Sequence, residues 1–250
     1  MKFLFIAPRF HTNQVFWIDS LIESNHEVFF HSQLRGEIEN YKQIRPLIFP
    51  PCNLSNYLTK LFGEGGVNNP RGFPNPYSYY KELKELQPEV IVIRDATRWF
   101  SLLGAILARY LRIEIIIYSQ TDLFKHYSFM RTFLTKFILT IFDAKWITPI
   151  KGDRANFNFH PKGMYFVPFA VDIKKIKKER VQKPYELLSV GKFENRKNQL
   201  MLLKVIKKAI SNGFKLNLVL IGEVSKDAHQ QNFDICNKFN QIVFYITQLI

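Results

Sequence analysis

Three cations and a glycine crowd the point where an apolar run gives way to a helix-like pattern: Gly191, Lys192, Arg196 and Lys197. The run at 187–190 reads as a buried strand, Gly191 ends it, and Asn198 opens an apolar-periodic stretch at 199–211. A loop between a strand end and a helix start gathers backbone N–H groups, and the helix dipole favours negative charge there. Lys192, Arg196 and Lys197 add full charges at the same place, so the chemistry suits a diphosphate. An ordinary strand-to-helix turn with solvated lysines fits the same residues. Arg94 and Asp95 close a second apolar run, 89–94. In open α/β sheets, ligands bind at such strand ends. Asp95 also reads as one half of a local ion pair, or as a helix cap.

These residues need a scaffold of alternating strands and helices. Strands are expected at 2–7, 27–31, 89–94, 113–118, 144–148 and 164–168, with helices at 14–23, 55–62, 77–86, 99–110 and 125–142. The helix 14–23 carries Val15, Ile18, Leu21 and Ile22 on one face. Strand-helix-strand succession implies parallel strands in a doubly wound α/β sheet. The proline- and glycine-rich stretch 33–76 reads mostly as loop, either lining a ligand or making a plain surface excursion. No glycine-rich dinucleotide fingerprint follows the first strand, so NAD is not expected there. A second series begins with the strand 187–190. It continues with the helix 199–211, which Asn212 and Gly213 close, the strand 215–221, a helix 227–240 and a strand 241–246. Gly222 leaves the end of the strand 215–221, where glycine lets backbone approach a ligand closely.

The segment 186–203 resembles the opening of the donor domain in family-4 retaining glycosyltransferases, enzymes of the two-Rossmann GT-B fold. Gly191 and Lys192 correspond to that family's Gly-Arg, and Lys197 to its later lysine, which together hold the diphosphate of a nucleotide sugar. Asn198 stands where a glycine often follows. Pro168, Val171 and Asp172 match the family's Pro-Asn-Gly-Val-Asp turn, while Phe169 and Ala170 do not. Many members carry a His-Asp pair after the strand that corresponds to 113–118. Here Gln120 and Asp122 occupy the neighbourhood and the histidine is absent, and His126 lies too far along to replace it. Gln120 can hydrogen-bond an acceptor hydroxyl but cannot serve as a base, so Gln120 and Asp122 are the catalytic candidates that remain.

The resemblance implies a GT-B-like α/β chain: a Rossmann-like, doubly wound acceptor-side domain at 1–172, a lysine-rich linker at 173–184, and a partial Rossmann-like donor domain at 185–250. It implies transfer of a hexose from a nucleotide-diphosphate sugar to a glycan or lipid-linked acceptor, as in cell-surface polysaccharide synthesis. Gly191, Lys192, Arg196, Lys197 and Gly222 would hold the donor diphosphate. His11, Arg94 and Gln120 would face the acceptor. No metal and no further cofactor are expected. In the family, the donor domain continues beyond the equivalent of Ile250 with a pair of glutamates about two helical turns apart. A truncated gene, a fragment or one half of a split enzyme is therefore expected, with a non-catalytic remnant or subunit as the alternative.

Composition narrows the partners. The 250 residues are 47% apolar with a net charge of +14, enough to build a core and biased towards anions: nucleic acid, an anionic membrane face or phosphorylated substrates. No nucleic-acid-binding module is visible, and the basic residues are not interleaved with aromatics on an alternating strand, so nucleic acid is not expected. Cys52 and Cys236 give no disulfide framework and point to a reducing cytosol. The apolar start is cut by Arg9, His11 and Asn13, too short for a signal peptide. Charges also interrupt 101–119 and 133–150, so neither reads as a membrane span. The stretch 125–142 carries Phe129, Phe133, Leu134, Phe137, Ile138 and Ile141, with Lys125, His126, Arg131 and Lys136 among them. It reads either as a helix on an anionic bilayer face, placing the chain at the inner side of a membrane, or as a core-packed helix with a solvated basic side.

Overall fold

Short runs of Phe, Ile, Leu and Val become strands, and the central ones are buried on both faces, as a parallel sheet requires. The computed structural model describes residues 1–10, 12–35, 44–62, 71–124, 128–152, 162–169, 187–191, 193, 197–216, 218–222, 234 and 247–248. The chain divides into two compact units, Met1–Ile176 and Lys177–Ile250.

In the first unit the order is β1 (Lys2–Ala7), α1 (Thr12–Glu23), β2 (Glu27–Ser32), β3 (Leu47–Ile48), α2 (Asn53–Phe62), α3 (Pro76–Leu86), β4 (Val90–Arg94), α4 (Trp99–Tyr110), β5 (Glu114–Tyr118), α5 (Phe129–Phe142), β6 (Lys145–Thr148) and β7 (Met164–Phe166). All pairings are parallel, in the order β3-β2-β1-β4-β5-β6-β7. The chain runs from β1 to one edge and then returns to the other side of β1. The winding therefore reverses between β1 and β4, and every strand ends on the same edge of the sheet.

Side-chain alternation sorts the core. Phe5, Ala7, Phe30, Val92 and Tyr118 pack on one face with Ile18 of α1. Leu4, Ile6, Ile91, Ile93 and Ile117 pack on the other with Tyr79 and Leu83 of α3, Phe100 and Ala105 of α4, and Leu139 of α5. Ile6, Ile93 and Ile117 are fully enclosed, each contributing about 2 kcal/mol through burial. Asn75 caps α3, its side-chain oxygen accepting from the N–H groups of Tyr77 and Ser78, and Pro76 occupies the first turn. Gln87 ends α3 in the left-handed region.

The second unit has β8 (Leu187–Val190), α6 (Gln199–Ser211), β9 (Leu218–Gly222) and β10 (Thr247–Gln248), with a parallel sheet in the order β10-β9-β8. Phe193, Leu203, Ile206, Leu218 and Leu220 form its core. The structure differs from the sequence expectations in several places. The run 187–190, read as a buried strand, leaves Leu188 and Val190 exposed, because in this three-stranded sheet only one face of β8 meets the core. The helix read at 125–142 is described from Phe129. A two-residue strand, β3, lies within the stretch read as loop, the strand read at 215–221 spans Leu218–Gly222, and the one read at 164–168 stops at Phe166. The helix at 227–240, apart from residue 234, the strand at 241–246 and the linker at 173–184 fall outside the described residues.

Candidate functional site

At the ends of the central strands, Ser32, Ala7, Arg94 and Tyr118 line up across β2, β1, β4 and β5. The register pairs Ala7 with Ser32 and Arg94 with Tyr118, and Ile6 with Ile93 one step below. Alternation puts all four on the face that α1 covers. The loop leaving β1 is pinned to β2, because the Pro8 carbonyl accepts from the N–H groups of Gln33 (3.1 Å) and Leu34 (2.9 Å). On α1, Gln14 is one turn before the core residue Ile18 and is wholly buried. Trp17 meets Tyr118 edge-on at 4.9 Å and donates its indole N–H to the Pro168 carbonyl at 3.2 Å.

This corner concentrates unmet polarity. Arg9 Nε, Gln14 Nε2 and Oε1, Ser32 Oγ, Gln33 Nε2 and Arg94 Nη1 are buried without a hydrogen-bond partner among the described residues. An unmet buried group costs about 1–3 kcal/mol, and such groups call for an explanation in a folded protein. Arg94 lies over the Tyr118 ring at 5.8 Å. Burial pushes its guanidinium below the ordinary value, and Arg9 and Arg98 push the same way against the opposing pull of Tyr118 and Asp95. Asp95 itself belongs to a local turn: Thr97 Oγ1 donates to it at 2.7 Å and Arg98 Nε lies 3.4 Å away. That is the local ion pair the sequence allowed.

Gln120 is exposed, and its amide donates to the Tyr118 hydroxyl at 3.4 Å. Arg94 and Gln120 are thus brought to the same aromatic ring. Asp122 follows in the loop where Leu123 N–H donates to the Ile150 carbonyl at 2.9 Å. His11 lies outside the described residues.

In the second unit, β8 ends at Gly191, whose N–H donates to the Ile221 carbonyl at 2.8 Å. The stem of Lys197 runs beside Gly191, Cε lying 3.5 Å from where a side chain would begin. Asn198 precedes α6 in the left-handed region, φ 52°, and its side chain makes no cap bond. The helix start therefore presents N–H groups that its own N-cap side chain leaves open. Gly222 abuts the Gly191 carbonyl and the Phe193 ring, where a methyl group would have no room. The close approach found at Gly222 is thus to the chain itself. Gly191, Lys197 and Gly222 come together; Lys192 and Arg196 lie outside the described residues.

Among the described residues, α5 packs into the core along Thr135, Ile138, Leu139 and Phe142. Phe129 (86%), Met130, Phe133, Leu134, Phe137 and Ile141 are exposed. The core-packed reading of this helix therefore fails for its aromatic side. Among the described residues no helix is long and apolar enough to cross a membrane, and no group of three or more His, Cys, Asp or Glu residues is placed to hold a metal.

No family model matches the chain, and no curated protein matches its sequence. Solved structures do match. A glycosyltransferase from Rickettsia africae ESF-5 has a TM-score of 0.63 at 10% identity, over 99% of this chain and 68% of that one. Sucrose-phosphate synthase from Thermosynechococcus elongatus has 0.59 at 11% identity, over 100% and 71%. A Listeria monocytogenes protein assigned as a UDP-N-acetylglucosamine 2-epimerase has 0.56 at 10%, over 100% and 69%. The fold is GT-B-like. At these identities the likeness concerns fold alone, and a fold hosts more than one chemistry.

Within this GT-B-like chain, Arg94 and Gln120 lie at strand ends, as their positions after apolar runs indicated. Gln14, Ser32 and Gln33 escaped notice because an uncharged polar residue at an element end reads as solvated. Arg9 was visible only as a charge interrupting an apolar start.

Proposed function

We propose that the chain is a glycosyltransferase that takes a sugar from a nucleotide-diphosphate donor. The observation that carries this reading is the meeting of Gly191, Lys197 and the start of α6 at the end of β8, in a chain of GT-B-like fold. Gly191, Lys192, Arg196, Lys197 and Gly222 form the donor end. The three cations and the helix dipole stabilise the charge that develops on the departing diphosphate as the glycosidic bond breaks. His11, Arg94 and Gln120 face a glycan or lipid-linked acceptor, with Gln120 and Asp122 closest to the chemistry. The domains run 1–172 and 185–250, joined at 173–184. Surface-polysaccharide synthesis at the cytoplasmic side of a membrane fits the exposed aromatic side of α5 and the basic charge.

Calorimetric titration with UDP, GDP and inorganic phosphate, followed by hydrolysis assays with UDP- and GDP-sugars, tests the reading. Nucleoside diphosphate bound more tightly than phosphate, with slow sugar release, supports it. Absence of nucleotide binding overturns it. A second reading is a non-catalytic subunit of such an enzyme, favoured because Gln120, which cannot act as a base, stands in the neighbourhood of the expected histidine. Nucleotide binding without any sugar release or transfer selects that second reading.

A further inference from the structure

Gln14, Ser32 and Gln33 play no part in the reaction proposed above, yet they are buried with unmet donors beside Arg9 and Arg94. We infer that the ends of β1, β2 and β4, beneath the first turn of α1, form an oxyanion-binding site. On the glycosyl-transfer reading, on which this last step rests, the site seats an acidic group of the acceptor.

The inventory sets the ligand's chemistry. Five donors, Arg9 Nε, Gln14 Nε2, Ser32 Oγ, Gln33 Nε2 and Arg94 Nη1, lack an acceptor among the described residues. A phosphate or carboxylate offers several acceptor sites and no donor when ionised, whereas a hydroxyl or amide brings donors of its own. Two side-chain carbonyl or carboxylate acceptors are buried on α1: Gln14 Oε1 takes a neighbouring hydroxyl, and Asp19 is engaged within the chain. The ligand is therefore an oxyanion with a hydroxyl beside it. Ser32, Ala7 and Arg94 span two strand spacings, roughly 10 Å, wide enough for a phosphorylated or carboxylated sugar unit. Charge points the same way. Arg9 and Arg98 disfavour the charge on half-buried Arg94, and an anion between them reverses that repulsion. The start of α1 adds its dipole. Arg94 packs over Tyr118, which presents the flat guanidinium for two-pronged contact with an oxyanion. Asp95 does not compete, being held by Thr97 and Arg98.

The test is phosphate titration of the full chain by calorimetry, with chloride at matched ionic strength as control. The Lys197→Gln variant serves as background, because it weakens the donor-end contribution, and Arg94→Gln and Gln14→Leu then report on the β1–β2–β4 corner alone. In that background a phosphate site should persist. Arg94→Gln should weaken it tenfold or more. Gln14→Leu should weaken it as well while raising the melting temperature of the ligand-free protein, since it deletes an unmet buried amide. Should Arg94→Gln fail to fold, Gln33→Leu gives the same readout. Glycerol 1-phosphate and glucuronate should displace phosphate, and the tighter of the two tells a phosphate-bearing from a carboxylate-bearing acceptor. The inference is overturned if phosphate binding vanishes with Lys197→Gln alone, if Arg94→Gln and Gln14→Leu titrate like the parent, or if glucose displaces phosphate as well as glucuronate does. Failure of nucleotide binding with the phosphate site intact overturns only the transferase reading. The reverse pattern overturns only this inference.

Discussion

His31 points away from Ser32, into the other face of the sheet, with Nδ1 3.2 Å from the Tyr79 hydroxyl and Nε2 3.9 Å from Glu82 Oε1. Burial lowers its pKa from 6.5 to about 4, so the imidazole is neutral at pH 7 and the Glu82 contact is not a charged pair. In the unfolded chain the ring takes its proton near pH 6.5. Between that value and about 4 the unfolded state binds more protons, so stability is full above 6.5 and falls as the pH drops to 4. The loss amounts to about 3 kcal/mol. Urea midpoints at pH 7.5 and 4.5 should show it, and His31→Gln should flatten that part of the slope. At Gly222 the argument is steric. Gly222→Ala drives a methyl group into the Gly191 carbonyl and the Phe193 ring, 2.7 Å away. It should cost about 1–3 kcal/mol by chemical denaturation. Asn198 makes the subtler point: its left-handed backbone is one that glycine and asparagine adopt most readily, so a side chain there costs the turn little.

Among the elements, α5 shows what periodicity reveals and what it cannot. Phe129, Phe133 and Phe137 recur every fourth residue, so an aromatic stripe was plain from the chain. Which side the neighbouring elements would cover was not, because Leu139 and Phe142 are equally apolar yet buried. Phe133 and Phe137 stack at 6.2 Å on the open side. If this side rests on an anionic bilayer, Phe133→Ser with Phe137→Ser should reduce binding to phosphatidylglycerol vesicles tenfold or more in a flotation assay. Folding stability should change by no more than about 0.5 kcal/mol, since both rings are more than half exposed. Equal binding by parent and variant would count against the membrane contact. The long strands and helices were readable because burial on two faces leaves continuous apolar runs, and one-sided burial leaves a 3.6-residue period. β3 was not, since its two residues are exposed and carry no pattern. The Gln14–Ser32–Gln33 corner was hidden for a different reason: it exists only through register, when β1 slides between β2 and β4 and sets residues far apart in the chain along one edge.

For the molecule as a whole, the net charge of +14 makes anion binding salt-sensitive wherever the charges are exposed. Lys197 is exposed, so UDP affinity should fall as salt rises from 50 to 500 mM, by roughly tenfold, and Lys197→Gln should lower both the affinity and its salt dependence in calorimetry. A salt-insensitive UDP site would argue against a cationic donor end.

The placing of β1 between β2 and β4 also bears on how the protein is made. Lys2 N–H donates to Glu89 Oε2 at 2.6 Å across 87 residues, so the amino-terminal strand finds its second neighbour only after that length has left the ribosome. At roughly 5–20 residues per second the wait is roughly 4–17 s. For that interval the nascent chain holds one side of Phe3–Ile6 open, a window in which a chaperone has something to cover.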